Sequence, residues 1–216
     1  MTRSHAYLLV LMLLGCGCRK VVDPQPAIDA PPAIDAPPAI DPVTSSVVDA
    51  LSGTQNPNGV WTLGFAATAE AVLTPFSHLV NGPDTPTWTD ESPYMGGVHG
   101  IIWKNATSAP RFGVAPGQIS AHPGATGELA IIRYTAPFTG TFTAHVEALE
   151  GDVGATSASV RVRGVARHSA NTPTSYDLPA TDLASGDTIE LWVGSLGDWS
   201  ADNTPVVLTV TGTPGR

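Results

Sequence analysis

The stretch "ELAIIRYTAPFTGTFTAHVEAL", Glu128 to Leu149, reads as two extended segments around a short break. In its second half Phe142, Ala144, Val146 and Ala148 share one face, while Thr141, Thr143, His145 and Glu147 share the other. Successive side chains of a strand point to opposite faces, so this period of two predicts a strand with one side in a core and one side wet. Glu128 to Thr135 is rich in β-branched and aromatic residues and predicts a second strand. Arg133 falls on the face alternate to Ile132 and Tyr134, and an ion pair is the role expected of it. The break, Ala136 to Gly140, predicts a hairpin connection. Upstream, Pro123 holds His122 in extended geometry in the loop before the first strand.

The same texture extends outward. Val60 to Phe65, Gly100 to Lys104, Ala158 to Val165, Thr188 to Gly194 and Val206 to Thr211 are short apolar alternations separated by Gly, Pro, Asn and Asp. With 20 prolines and 22 glycines, no helix-length 3.6-period segment survives. The expectation is an all-β fold, an antiparallel β-sandwich of about 8 strands over residues 43–216. Trp61, alternating with Leu63 and Phe65, belongs in its core. A domain of that length buries roughly 70% of its unfolded surface and needs no disulfide, and none is available, because Cys16 and Cys18 are the only cysteines.

Those cysteines belong to a different segment. Ala6 to Leu14 is a nine-residue apolar run behind Arg3 and His5. It is too short to span a bilayer, which takes about 20 residues, and right for a signal-peptide core. The run ends in Leu13-Leu14-Gly15-Cys16, which resembles the bacterial lipobox. That resemblance implies a signal peptide of residues 1–15, cleavage before Cys16, and acylation of its thiol, palmitate included. Residues 16–42 then carry the lipidated end and a linker in which Pro-Ala-Ile-Asp-Ala-Pro occurs twice, at 26–31 and 32–37. Proline fixes extended geometry here, so a semi-rigid polyproline spacer of up to roughly 60 Å follows. It is similar to the low-complexity spacers of many Gram-negative lipoproteins. The address implied is the bacterial cell envelope, the outer membrane in preference to the inner, with the domain periplasmic or at the surface and the bilayer as partner through acylated Cys16.

Three further patches, "QNPNGVWTLGF", "HPGATGELAIIRYTAPFTGTFTAH" and "LASGDTIELWVGSLGDWSADNTPVVLTV", together resemble a jelly-roll-like β-sandwich domain of secreted, largely uncharacterised bacterial proteins. The resemblance implies a fold and leaves the activity open, because such sandwiches host lectins, enzymes and structural modules.

Function is therefore sought in particular side chains. The net charge of −9, with only 10 Lys and Arg, argues against a nucleic-acid surface. Trp88, Tyr94, Trp192 and Trp199 lie beside acidic residues and are candidates for a carbohydrate platform, since an aromatic face offers flat apolar area to a sugar ring. Trp192 falls opposite Ile189, Leu191 and Val193, beside Glu190. The loop "GDWSADNT" sets Asp198, Ser200, Asp202 and Asn203 at a spacing that suits oxygen ligation of calcium, although the Gly and Glu of an EF-hand are absent. Five domain histidines, His78, His99, His122, His145 and His168, share no local repeat and no metal-ligand spacing, and are expected at the surface. No catalytic motif is present. Glu147, Glu150 and Asp152, or Asp90 with Glu91, could supply a carboxylate pair only if they faced each other across a cleft. The leading expectation is a non-catalytic binding module, for carbohydrate first; the alternatives are a structural or protein-interaction domain that meets another surface protein, and a glycoside hydrolase or lyase.

Overall fold

Alternation of apolar and polar residues builds two antiparallel sheets that close on a shared core. A computed structural model describes residues 40–80, 82–92 and 95–215. Cys16, the signal segment, the linker up to residue 39 and the candidate Tyr94 lie outside the described residues. The strands in chain order are β1 (Val43–Ser46), β2 (Trp61–Ala66), β3 (Thr74–Pro75), β4 (His78–Val80), β5 (Thr87–Thr89), β6 (Ile101–Lys104), β7 (Ile119–His122) and β8 (Leu129–Thr135). Then follow β9 (Gly140–Ala148), β10 (Thr156–Val162), β11 (Val165–Asn171), β12 (Thr174–Leu183), β13 (Thr188–Ser195) and β14 (Thr204–Pro214).

The larger sheet runs β12-β9-β14-β7-β6-β5-β4, with β1 also paired to β14, and the smaller runs β11-β10-β13-β8-β2-β3. From β7 to β14 the chain changes sheet at nearly every connection, which gives the sandwich its jelly-roll-like character. One continuous core of Trp61, Leu63, Ile102, Phe142, Val160, Leu191 and Leu208 and their neighbours fills the space between the sheets. A short 3-10 helix, Val47–Ser52, closes one side. Ser46 and Asp49 cap it reciprocally, and Val47, Ala50 and Leu51 enter the core.

The segment Ala136 to Gly140 is not a hairpin. β8 lies between β13 and β2 in the smaller sheet, and β9 lies between β12 and β14 in the larger one. Each strand has its apolar face turned toward the other sheet, so the two meet across the core rather than edge to edge. Phe138 fills the corner and stacks on Phe142 with ring centroids 5.2 Å apart. The structure also holds fourteen strands among the described residues, against the eight expected. The additions are of two kinds. β1, β3, β4, β5 and β7 span two to four residues, too few to show a period. β11 and β12 lie at the open edges of their sheets, where exposed residues such as Val165 and Arg167 break the alternation.

Candidate functional site

The register of three short strands decides which aromatic rings turn to the core and which to the opposite face. Trp88 of β5 stands opposite Ile102 of β6, which stands opposite Ala121 of β7. These three face the core. One residue along, Thr87, Trp103 and Ser120 form the next row, and it faces outward. Above this outer row sits a pocket of ≈ 240 Å³ whose lining includes Thr87, Trp103, Arg111, Phe112, His122 and Asn203.

The wall that carries Phe112 is built from the β6–β7 connection. Asn105, fully buried, donates from Nδ2 to the carbonyls of Ala109 (2.8 Å) and Val114 (2.9 Å) and folds this segment back over the sheet. Arg111 and Val114 then exchange backbone bonds of 3.0 and 2.8 Å around a two-residue turn. Both central residues are left-handed, Phe112 at φ 50 and Gly113 at φ 74, as a type I′ turn demands. Gly113 also lies against the backbone of Gly151, where any Cβ would collide with the Gly151 carbonyl. Phe112 is 63% exposed and meets Trp103 edge-on at 6.1 Å.

Two polar groups on the pocket floor have fixed roles. The Trp103 indole Nε1 donates to Asn203 Oδ1 at 2.8 Å. An indole N–H can only donate, so the Asn203 oxygen faces Trp103, and its Nδ2 has no partner among the described residues. His122 Nδ1 lies 2.8 Å from the carbonyl of Pro123. A carbonyl only accepts, so Nδ1 carries the proton and Nε2 is left as an acceptor. Burial pushes the imidazole below its ordinary pKa, opposed by the Pro123 carbonyl and by Asp202 and Asp152, so the ring is uncharged at neutral pH. His122 is 8% exposed and ends β7, which corrects the expectation of a surface histidine in a loop.

The sequence candidates are dispersed. Trp88 is 2% exposed in the main core, which corrects its placing as a carbohydrate-platform candidate; the period of β5 turns it inward. Trp192 does fall on the face opposite Ile189, Leu191 and Val193, but there it joins a small outer cluster with Ala66, Leu73 and Ile131. Arg161 covers its ring at 4.0 Å, and its Nε1 donates to Glu190. Trp199 is partly exposed and stands edge-on to His122 at 5.9 Å, beside the pocket. Trp88, Trp192 and Trp199 therefore do not line one groove. Trp103 and Phe112 were absent from the candidates. The alternation Ile102 in, Trp103 out was readable within the expected strand, whereas nothing in "PRFGV" announces the turn.

The four calcium candidates are likewise divided. Asp198 is exposed and accepts from the Ser200 backbone N–H at 3.0 Å, an arrangement that holds its carboxyl below the ordinary value. Asn203 is turned to Trp103. Asp202 is fully buried with no hydrogen bond of good geometry to either oxygen, and burial raises its pKa. Among the described residues no group of three or more His, Cys, Asp and Glu could hold a metal ion. Of the candidate carboxylate pairs, Asp90 and Glu91 are held in local bonds. Glu91 accepts from the backbone N–H groups of Met95, Gly97 and Val98, and Asp90 pairs with His99 at 2.6 Å. Arg133 has the expected ion pair, with Glu190 at 2.6 Å.

No family model matches the chain, and no curated protein matches it. Among solved structures the chain is similar to a family 35 carbohydrate-binding module from Clostridium thermocellum, at 14% identity over 43% of this chain and 76% of that one, with a TM-score of 0.29. It is similar to the CBM36-1 domain of a multidomain xylanase from the hindgut metagenome of Trinervitermes trinervoides, at 17% identity over 40% and 73%, with a TM-score of 0.29. A third similarity is to a β-(1,4)-mannanase of Podospora anserina, at 12% identity over 72% and 28%, with a TM-score of 0.30. At these values the likenesses carry no argument about what the chain binds.

Proposed function

We propose that this chain is a non-catalytic lipoprotein of the bacterial envelope, anchored through acylated Cys16, whose β-sandwich binds carbohydrate in the pocket over β5, β6 and β7. The observation that carries the reading is the combination of an exposed aromatic ring, Phe112, with a free amide donor, Asn203 Nδ2, and a free imidazole acceptor, His122 Nε2, around one concavity. Sugar recognition asks for this mixture of flat apolar area and a few oriented polar groups. At ≈ 240 Å³ the pocket falls below the range of drug-sized sites, about 300 Å³ and upward, and suits a single ring. The anchor is supported by the lipobox-like Leu13-Leu14-Gly15-Cys16 and the proline-rich spacer.

A glycan array tests the reading. The wild-type chain is expected to bind a defined subset of glycans, and Asn203→Leu, its folding checked by near-UV circular dichroism, is expected to lose that binding. A uniformly blank array for the wild type overturns the carbohydrate reading and favours a protein partner instead. Val153, 91% exposed on the loop whose Gly151 lies against Gly113 of the pocket wall, is the feature that such a partner would meet.

A further inference from the structure

Phe112 is an unusual residue for the place it occupies. A bulky side chain at positive φ is a genuine backbone outlier, and type I′ turns take Asn, Asp or Gly at this position. Packing does not explain the choice. The ring is 63% exposed, and its aromatic neighbour among the described residues is Trp103, met edge-on. The reciprocal Arg111–Val114 bonds use backbone atoms only, so they would form equally well around an asparagine. What phenylalanine alone adds is a flat apolar ring at the pocket mouth. The turn is held rigidly in place, because Gly113 lies against Gly151 and Gly151 in turn lies against the carbonyl of Asn203, leaving no room for a Cβ at either glycine. The strained ring and the fixed amide therefore belong to one locked unit.

We propose that Phe112 is the ring-stacking residue of the pocket, kept in a left-handed conformation in order to present its face to one pyranose unit. The proposal rests on the carbohydrate reading above and adds the geometry of the bound sugar. The C–H face of the pyranose lies on the Phe112 ring, one hydroxyl donates to His122 Nε2, and one hydroxyl oxygen accepts from Asn203 Nδ2. Residues held in sparsely populated backbone regions cluster at ligand clamps and active sites, where the surrounding structure over-determines them.

Phe112→Asn separates this role from a structural one, because asparagine tolerates positive φ and has no aromatic face. Binding is read by saturation-transfer NMR on the full chain with methyl glycosides of glucose, galactose, mannose and xylose, and stability by the thermal midpoint. The expected result is binding weakened about tenfold or more in Phe112→Asn with Tm raised, and binding kept within about threefold in Phe112→Tyr. Undiminished binding by Phe112→Asn overturns the stacking role alone and leaves the carbohydrate reading standing. A lowered Tm in Phe112→Asn overturns the strain and makes the residue structural. A wild-type chain that binds none of the four sugars overturns the carbohydrate reading, and the stacking role falls with it.

Discussion

Asp202 and Trp88 mark opposite limits on what a single residue discloses. At Asp202 the spacing of oxygen-bearing side chains in "GDWSADNT" was visible, but its burial was not, because burial depends on the loop around Gly154 that lies against its carboxylate. A buried carboxylate without good hydrogen bonds is a cost at neutral pH, and burial raises its pKa above the ordinary 3.8, opposed by the Ser195 hydroxyl and the His122 ring. A raised carboxyl pKa means that the folded state takes up a proton before the unfolded chain does, so this cost is full at pH 7 and fades as pH falls through the raised pKa. Asp202→Asn is therefore expected to raise Tm by a few degrees at pH 7, with the gap to wild type closing on acidification. Differential scanning fluorimetry from pH 7 to 4 checks it, and an unchanged gap across that range would mean that the carboxylate is not the source. Trp88 and Trp103 show the complementary case. Both are tryptophans in short strands, and a single step of register sends one to the core and one to the pocket. Composition cannot make that distinction, whereas the pleat makes it at once.

The seven segments expected to be strands from their alternation all contain strands, shifted by at most a few residues at their ends. β9 shows why: four inward apolar residues and a wet opposite face leave no other conformation able to bury the first set. Pairing was less legible than strand formation. The five residues after β8 look the same whether they turn within a sheet or cross between sheets, and what decides is which strands flank β8 and β9, a long-range fact. Cross-strand neighbours also explain the outer face of the smaller sheet. Glu190 of β13 stands between Arg161 of β10 and Arg133 of β8, bonds the Arg133 Nε at 2.6 Å, and accepts from the Trp192 indole at 2.8 Å. Glu190→Ala leaves a half-buried guanidinium and a buried N–H without their acceptor, and is expected to cost about 3 kcal/mol in urea unfolding. The paired change Glu190→Leu with Arg133→Met is expected to recover part of that loss, since removing both charges also removes their desolvation. A double variant no more stable than Glu190→Ala would show that the indole bond, rather than the ion pair, carries the effect.

The proposed anchor and the pocket were unequally legible in the sequence. The proposed anchor rests on contiguous residues, Leu13 to Cys16 and the repeats after it. Its test is chemical: radiolabelled palmitate is expected to enter the wild-type chain and not Cys16→Ser, and equal labelling of both would sink the anchor. The pocket is assembled from Thr87, Trp103, Phe112, His122 and Asn203, which span 117 positions of sequence, counting from 87 to 203, and no local pattern connects them. Their placement has one more consequence. Asn203 precedes the first residue of β14, while Val43, where the sandwich begins, pairs with Gly212 near the other end of that strand. At about 3.3 Å per residue the two points lie roughly 30 Å apart along one strand. β1 runs antiparallel to β14 through four successive pairs, with the Thr44 and Thr211 hydroxyls bonded at 3.0 Å. In the lipid-anchored, ligand-bound form proposed above, a pull between Val43 and Asn203 would therefore act along β1 in shear. All four pairs would resist together instead of opening one after another, so in the proposed anchored form β1 would act as a mechanical clamp.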